Sequence, residues 1–106
     1  MSGQVAVVAG ATRHAGRGIA IELGMAGATV YCTGRSIRGK PSPRNAPGTL
    51  EETAALVAEH GGTASWVQVD HTDIHQVEAF FNRVLDEQGR LDVLVNSISG
   101  KASDKF

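Results

Sequence analysis

The sequence predicts an α/β fold built on a doubly wound parallel sheet, and two observations support this prediction. Segments with strand-like and helix-like patterns alternate along the whole chain. The strand-like segments VAVVA, ATVYC and LDVLV are nearly continuous apolar runs, which is typical of parallel strands covered by helices on both faces. We therefore expect about four strands and three helices joined by right-handed crossovers, an incomplete sheet of this class.

Periodicity and turn signals locate the individual elements. Strands are predicted at residues 4–9, 28–33, 63–69 and 91–97, and helices at residues 16–26, 50–60 and 73–88. Thr49 with Glu52 and Asp73 with Gln76 have the spacing of a capping box, which marks the starts of the second and third helices. One face of the third helix is apolar and is predicted to lie in the core: Ile74, Val77, Phe81, Val84 and Leu85.

Composition restricts the class of protein. The 106 residues are 42% hydrophobic and 20% charged, which is typical of one globular domain. No apolar run approaches the roughly 20 residues that span a bilayer, and no basic cluster precedes the first apolar run. We expect a soluble, cytoplasmic protein with no membrane partner, in which the lone Cys32 is a buried core residue.

Basic side chains are concentrated in the first half of the chain, where Glu22 is the one acidic residue among residues 1–49. A nucleic-acid-binding surface would combine a broad basic face with aromatic side chains that stack on bases. Aromatic residues make up only 5% of this chain. Nucleic acid is therefore not a predicted partner.

The segment VAVVAGATRHAGRGIA, residues 5–20, predicts a phosphate-binding turn. A buried strand leads to Gly10, and a helix follows after Gly16 and Gly18. Glycines allow a tight turn, so that the first amides of the helix can face an anion. The pyrophosphate of a dinucleotide is the expected occupant.

His71 and His75 lie four residues apart, with Asp70 and Asp73 nearby, which raises the alternative of a metal site. His71 precedes the helix that starts near Asp73, so the two imidazoles are not expected to share a helical face. We predict no metal site.

The turn, the segment GRLDVLVN that ends at Asn96, and Asp70 at the end of VQVD together resemble the short-chain dehydrogenases and reductases, from residue 4 to about residue 100. The family's turn reads Thr-Gly-x-x-x-Gly-x-Gly, and the present sequence departs from it at Ala9 and His14. Only the first asparagine of the family's Asn-Asn-Ala-Gly motif is kept. The stretch GRSIRGKPSPRNAPGTLEET is similar to a subgroup related to a mammalian member.

This resemblance implies a Rossmann-like fold and the cofactor-binding N-terminal part of an oxidoreductase, which in the complete enzyme transfers hydride between nicotinamide and a carbonyl or alcohol. Asp70 and His71 would contact the adenine, and Asn96 the ribose side or the central strand. The phosphate turn would be formed by Gly10, Thr12, Arg13, Ala15 and Gly16.

The residues after the second predicted strand favour NADP(H) over NAD(H). An acidic residue usually holds the ribose of NAD at this place, and Gly34 stands there instead. Arg35 and Ser36, with Arg13 from the turn, could bind a 2′-phosphate through charge-assisted hydrogen bonds. The other basic residues of this half are expected to be surface charges or partners of the loop's own carbonyls: Arg17, Arg38, Lys40 and Arg44.

His14 replaces the glycine that would approach the pyrophosphate most closely, and two readings follow. The side chain turns to solvent and the backbone keeps the turn, which we favour, or the residue opens the turn and weakens binding.

The family's proton-transferring tyrosine, its lysine and its serine all follow the fourth strand. The single tyrosine here, Tyr31, lies inside the second strand, and no Tyr-x-x-x-Lys occurs. We predict no catalytic residue and no dehydrogenase activity from this chain alone, with a small-molecule substrate only in a complete enzyme. The alternatives are a non-catalytic nucleotide-binding or regulatory module and a non-functional remnant of a truncated gene.

The fourth strand should be central in the full fold, so its outer edge is expected to be bare here. An apolar, uncharged edge can pair with another chain, which predicts self-association.

Overall fold

The fold is a four-stranded parallel sheet with helices on both faces, described by a computed structural model for residues 3–11, 14–34 and 49–96. The strand order is β3-β2-β1-β4, and all three pairings are parallel. The predicted α/β class is therefore confirmed. The elements are β1 (Val5–Ala9), α1 (His14–Met25), β2 (Thr29–Gly34), α2 (Leu50–Glu59), β3 (Thr63–Gln68), α3 (Ile74–Gln88) and β4 (Val93–Asn96).

Side chains alternate between two apolar clusters on the two faces of the sheet. Ala6 and Val8 of β1 pack with α1 and α2, whereas Val5 and Val7 of the same strand pack with α3. Successive residues of a strand point to opposite faces, so a strand covered on both faces is apolar throughout. This explains the continuous apolar runs of the sequence, and it places Cys32 in the core with no exposed surface, as predicted.

Helix caps follow the predicted chemistry. The Oγ1 atom of Thr49 accepts a hydrogen bond from the Glu52 amide at 3.3 Å, and the carboxylate of Asp73 accepts from the His75 and Gln76 amides. Each contact satisfies an amide that has no partner inside its own helix. The starts of α2 and α3 are thus determined locally.

Two boundaries differ from the predicted ones by two residues, and the others by at most one. The chain turns at Gly10, where φ is +80°, and helix α1 begins at His14, two residues before Gly16. Strand β4 begins at Val93 rather than at residue 91, and its predicted last residue, 97, lies outside the described residues. Asp92, just before β4, contacts the start of β1: its carboxylate accepts the Val5 amide at 2.8 Å, and its own amide donates to the Val5 carbonyl at 2.9 Å.

The apolar stripe of α3 is rotated relative to the prediction. Val77, Phe80 and Val84 are buried, while Ile74 and Leu85 are about half exposed. The predicted stripe includes Phe81 and not Phe80. In the structure Phe80 is the buried one of the two, and its ring makes an edge-to-face contact with Tyr31 of β2. The prediction is confirmed for Val77 and Val84, and Phe81 is partly buried against the same cluster. It is wrong for Ile74 and Leu85 and omits Phe80, because periodicity alone defines an apolar arc and not its centre.

None of the helices in the described part of the chain is long and apolar enough to cross a membrane.

Candidate functional site

The candidate site lies where the carboxyl ends of the strands meet. The chain leaves β1 toward β2 on one side of the sheet and returns through α3 to β4 on the other side of β1. Ala9 and Asn96, the last residues of β1 and β4, are partners in the strand register. Ligands of doubly wound sheets bind at such a change of direction.

Gly10 turns the chain directly after β1. Its φ angle is +80°, in the left-handed region that favours glycine. The amides of Gly10 and Ala11 both donate to the carbonyl of Thr33, at 2.8 and 3.1 Å. The turn is therefore anchored to the end of β2.

Gly16 brings α1 against this turn. An added Cβ would overlap the Gly10 carbonyl oxygen and lie 3.2 Å from the Cα of Ala11. By contrast, Gly18 has nothing within 4 Å of such a Cβ, and Ala15 is exposed. Only two of the three glycines in the predicted pattern are thus required by the geometry of the turn.

The start of α1 suits an anion. The first amides of any helix lack intrahelical partners and carry the positive end of its dipole. The first turn of α1 contains no acidic residue, whereas the first turn of α2 contains Glu51 and Glu52. No carboxylate in the first turn of α1 would therefore compete with a phosphate.

Several predicted contacts fall on residues that the structure does not describe. Thr12, Arg13, Arg35 and Ser36 lie outside the described residues. Gly34 is the buried last residue of β2, at the predicted place. The roles assigned to these five residues stay predictions.

His14 is the first residue of α1. An α-helical backbone has a negative φ that any L-residue adopts. The argument that a non-glycine residue strains the turn at this position therefore does not apply, and the reading in which the backbone keeps its course is favoured.

The two predicted adenine contacts, Asp70 and His71, follow β3. The Oδ1 atom of Asp70 accepts from the Thr72 amide at 2.9 Å and from the Thr72 hydroxyl at 2.6 Å, which makes a compact turn. His71 is buried at 2% exposure, and its Nε2 lies 2.9 Å from Oγ1 of Thr33. The structure thus brings both residues to the carboxyl edge of the sheet, and their contact with adenine stays a prediction.

Burial changes the acid–base properties of His71. Removal from water lowers the pKa of its imidazole to about 4, although the nearby Asp70 acts in the opposite direction. The ring is therefore neutral at physiological pH and can form a hydrogen bond with the Thr33 hydroxyl without a buried charge.

Sequence reasoning missed a contact between α2 and the turn. Thr53 of α2 is fully buried, and its hydroxyl donates to the carbonyl of Ala11 at 2.5 Å. Arg17, expected to be a surface charge or a partner of the loop's carbonyls, donates from Nε to the same hydroxyl at 3.0 Å. One sequence signal could have indicated this contact: Thr53 places a hydroxyl in the middle of the otherwise apolar buried stripe of α2, between Leu50 and Val57.

Tyr31 lies away from this edge of the sheet. It is 1% exposed, its hydroxyl donates to Glu87 at 2.6 Å and accepts from Gln88 at 3.1 Å, and burial raises its pKa. These contacts join β2 to the end of α3.

Among the described residues there is no group of three side chains that could hold a metal ion.

Comparisons with known proteins agree with this architecture. The short chain dehydrogenase family model matches residues 4–106. A mouse protein named dehydrogenase/reductase SDR family member 1 is 46% identical over 98 residues, which are 92% of this chain and 28% of that protein. The chain therefore spans less than a third of the length of this relative.

Solved structures show the same fold. A metagenomic short-chain oxidoreductase in complex with NADP is 36% identical with a TM-score of 0.77, over 89% of this chain and 38% of that one. A variant of actinorhodin polyketide ketoreductase with NADPH is 31% identical with a TM-score of 0.77, over 92% and 33%. Parallel sheet, glycine turn and sequence similarity together show that the chain belongs to the short-chain dehydrogenase family.

Proposed function

We propose that these residues form the NADP(H)-binding portion of a short-chain dehydrogenase-type oxidoreductase, which in the complete enzyme transfers hydride between nicotinamide and a carbonyl or alcohol. The observation that carries this proposal is the turn from Gly10 to Gly16 at the point where the strand order changes direction. A glycine turn followed by a helix start is the arrangement that binds a dinucleotide pyrophosphate.

The described residues fit such a group. The cradle between Gly10 and α1 exists only because Gly16 has no Cβ, and the first turn of α1 has no carboxylate to repel phosphate. The bound dinucleotide would supply the hydride chemistry, and the chain would hold its pyrophosphate and adenine ends. Asn96, in register with Ala9, stands on the side of β1 where the ribose and nicotinamide are proposed to extend.

The preference for NADP(H) rests on the absence of a carboxylate at the end of β2 and on the arginines proposed to lie nearby. Gly34 presents no carboxylate, which leaves Arg35, Ser36 and Arg13 as the proposed ligands of the 2′-phosphate. Two of the solved relatives were crystallised with NADP or NADPH, which supports the same preference.

Calorimetric titration of the purified chain with NADPH and with NADH tests this proposal. NADPH is expected to bind more tightly. Arg35→Gln removes one charge from the proposed phosphate ligands and is expected to weaken NADPH binding about tenfold or more with little effect on NADH. The matched control is Arg83→Gln, an exposed arginine on α3, which should change neither affinity.

Equal binding of both nucleotides by the parent chain would contradict the preference, and no binding of either would contradict the function. If the chain binds neither nucleotide and is also poorly folded, a non-functional remnant is favoured.

We propose that the 106 residues alone bind the cofactor without turnover. The single tyrosine is buried against Phe80 and Glu87 rather than placed at the candidate site. NADPH binding without oxidation in the presence of a carbonyl panel is expected, as for a non-catalytic module, and turnover would overturn this statement.

Self-association through β4 is also proposed. Strand β4 is the last strand on its side of the described sheet, and Leu94 at its centre is 47% exposed. An edge strand of this kind can pair with a second copy. The small-molecule substrate and a cytoplasmic location stay predictions.

A further inference from the structure

The contact between Thr53 and Ala11 links two parts of the chain that are 42 residues apart. Thr53 has no exposed surface, and its hydroxyl lies in the first half of α2. Ala11 is equally buried and belongs to the turn after β1. Loss of this donor would remove a hydrogen bond from a buried carbonyl, which is costly.

The hydroxyl of Thr53 makes its shortest contact with the Ala11 carbonyl. Two carbonyl oxygens are within reach of Oγ1 of Thr53, that of Ala11 at 2.5 Å and that of Thr49 at 3.3 Å. Arg17 donates to the same oxygen from Nε, so the hydroxyl accepts from Arg17 and donates its own hydrogen to a carbonyl, for which the shorter distance favours Ala11. The guanidinium is itself held by the Thr49 carbonyl and Glu52, each at 3.4 Å.

Both the amide and the carbonyl of Ala11 are held by hydrogen bonds. Its amide donates to the carbonyl of Thr33 on β2, and its carbonyl accepts from Thr53 on α2. A peptide group is planar, so fixing the carbonyl fixes the orientation of the whole peptide group to which it belongs. This is the backbone that leads from Gly10 into the proposed phosphate turn.

We propose that Thr53 is a positioning residue for cofactor binding, which holds the backbone of the turn through Ala11 while Arg17 donates a hydrogen bond to its hydroxyl oxygen. This inference rests on the proposed function, since it assigns the residue that keeps the pyrophosphate turn in its binding conformation. Thr53 does not touch the cofactor in this assignment.

The test compares Thr53→Val, which keeps the shape of the side chain and loses the hydroxyl, with Thr53→Ser, which keeps the hydroxyl. NADPH affinity is measured by calorimetry at a temperature where each variant is folded. Thr53→Val is expected to weaken binding about tenfold, and Thr53→Ser to bind within about twofold of the parent chain. Arg17→Met should produce a smaller loss, of about threefold, because it removes the charged donor to Oγ1 of Thr53 and leaves the hydrogen bond from Thr53 to Ala11 in place.

A second readout needs no nucleotide. Hydrogen exchange at the Ala11 amide is expected to be about fivefold or more faster in Thr53→Val than in Thr53→Ser, with unchanged exchange in α3. A general loss of stability would instead accelerate exchange in both regions.

The outcomes separate the two proposals. If folded Thr53→Val binds NADPH as tightly as the parent chain, or if Thr53→Ser is as weak as Thr53→Val, the positioning role is overturned. If the parent chain binds no dinucleotide, the proposed function fails, and exchange at Ala11 then decides alone whether Thr53 holds the turn.

Discussion

Nε2 of His71 and Oγ1 of Thr33 lie 2.9 Å apart, between two side chains that are almost completely buried. The carbonyl of the same threonine accepts the amides of Gly10 and Ala11. The corner after β3 is thus connected to the turn after β1 through the last residues of β2. Three strand ends form one hydrogen-bonded unit at the candidate site.

The depressed pKa of His71 predicts a dependence of stability on pH. The ordinary imidazole pKa of 6.5 applies in the unfolded chain, and burial lowers it to about 4 in the folded one. Between these values the unfolded state binds more protons, so the free energy of unfolding falls as the pH is lowered from about 6.5 to about 4. The contribution of this group is at most about 3 kcal/mol.

Urea unfolding followed by the fluorescence of Trp66, the single tryptophan, measures this effect. His71→Gln keeps a polar side chain that does not titrate, so its stability should fall less over the same interval. Parallel pH profiles for the two proteins would show that burial does not hold His71 neutral.

Substitution of Gly16 should damage the turn. The methyl group of Gly16→Ala would overlap the Gly10 carbonyl, which is expected to cost about 1–3 kcal/mol of stability and to reduce NADPH affinity by displacing α1 from the turn. Gly18→Ala is the matched control, because it makes the same change two residues away in open space and should stabilise the helix slightly. Thermal unfolding and calorimetry of both variants are the measurements, and similar results for the pair would be inconsistent with the close approach.

His14→Gly is expected to leave NADPH affinity within about twofold of the parent value, because a helical residue has no backbone strain for glycine to relieve. Stability should fall by no more than about 0.5 kcal/mol, because the glycine penalty is largest in a helix interior and relative to alanine, and His14 is the first residue of α1. Ala15→Gly serves as control, since it imposes a similar helix penalty at the next residue. Clearly tighter binding in His14→Gly alone would support an obstructing histidine.

Leu94→Lys should reduce the proposed self-association, because a charge on an edge strand opposes pairing with a second chain. Leu85→Lys, on α3 and with a similar exposure of 51%, is the control and should leave association unchanged. Light scattering over a range of concentrations measures both. A parent chain that stays monomeric at high concentration would exclude the edge as an interface.

Local patterns were sufficient for much of the fold. The apolar strands, the capping residues Thr49 and Asp73, and the burial of Cys32 all follow from chemistry within a few residues, and all agree with the structure. Gly10 was identified for the same reason, since a strand that ends in a turn before a helix favours a left-handed residue at that place.

The amino-acid sequence by itself determined the order and type of the elements, the glycine turn and the family, because each depends on periodicity or on short motifs. Tertiary structure decided which face of α3 is buried and that His71 is buried against Thr33. It also decided that Thr53 holds Ala11 and that Arg17 donates to Thr53. These contacts join residues 36 to 42 positions apart. Such partners become neighbours only when the sheet assembles, so no local pattern specifies them.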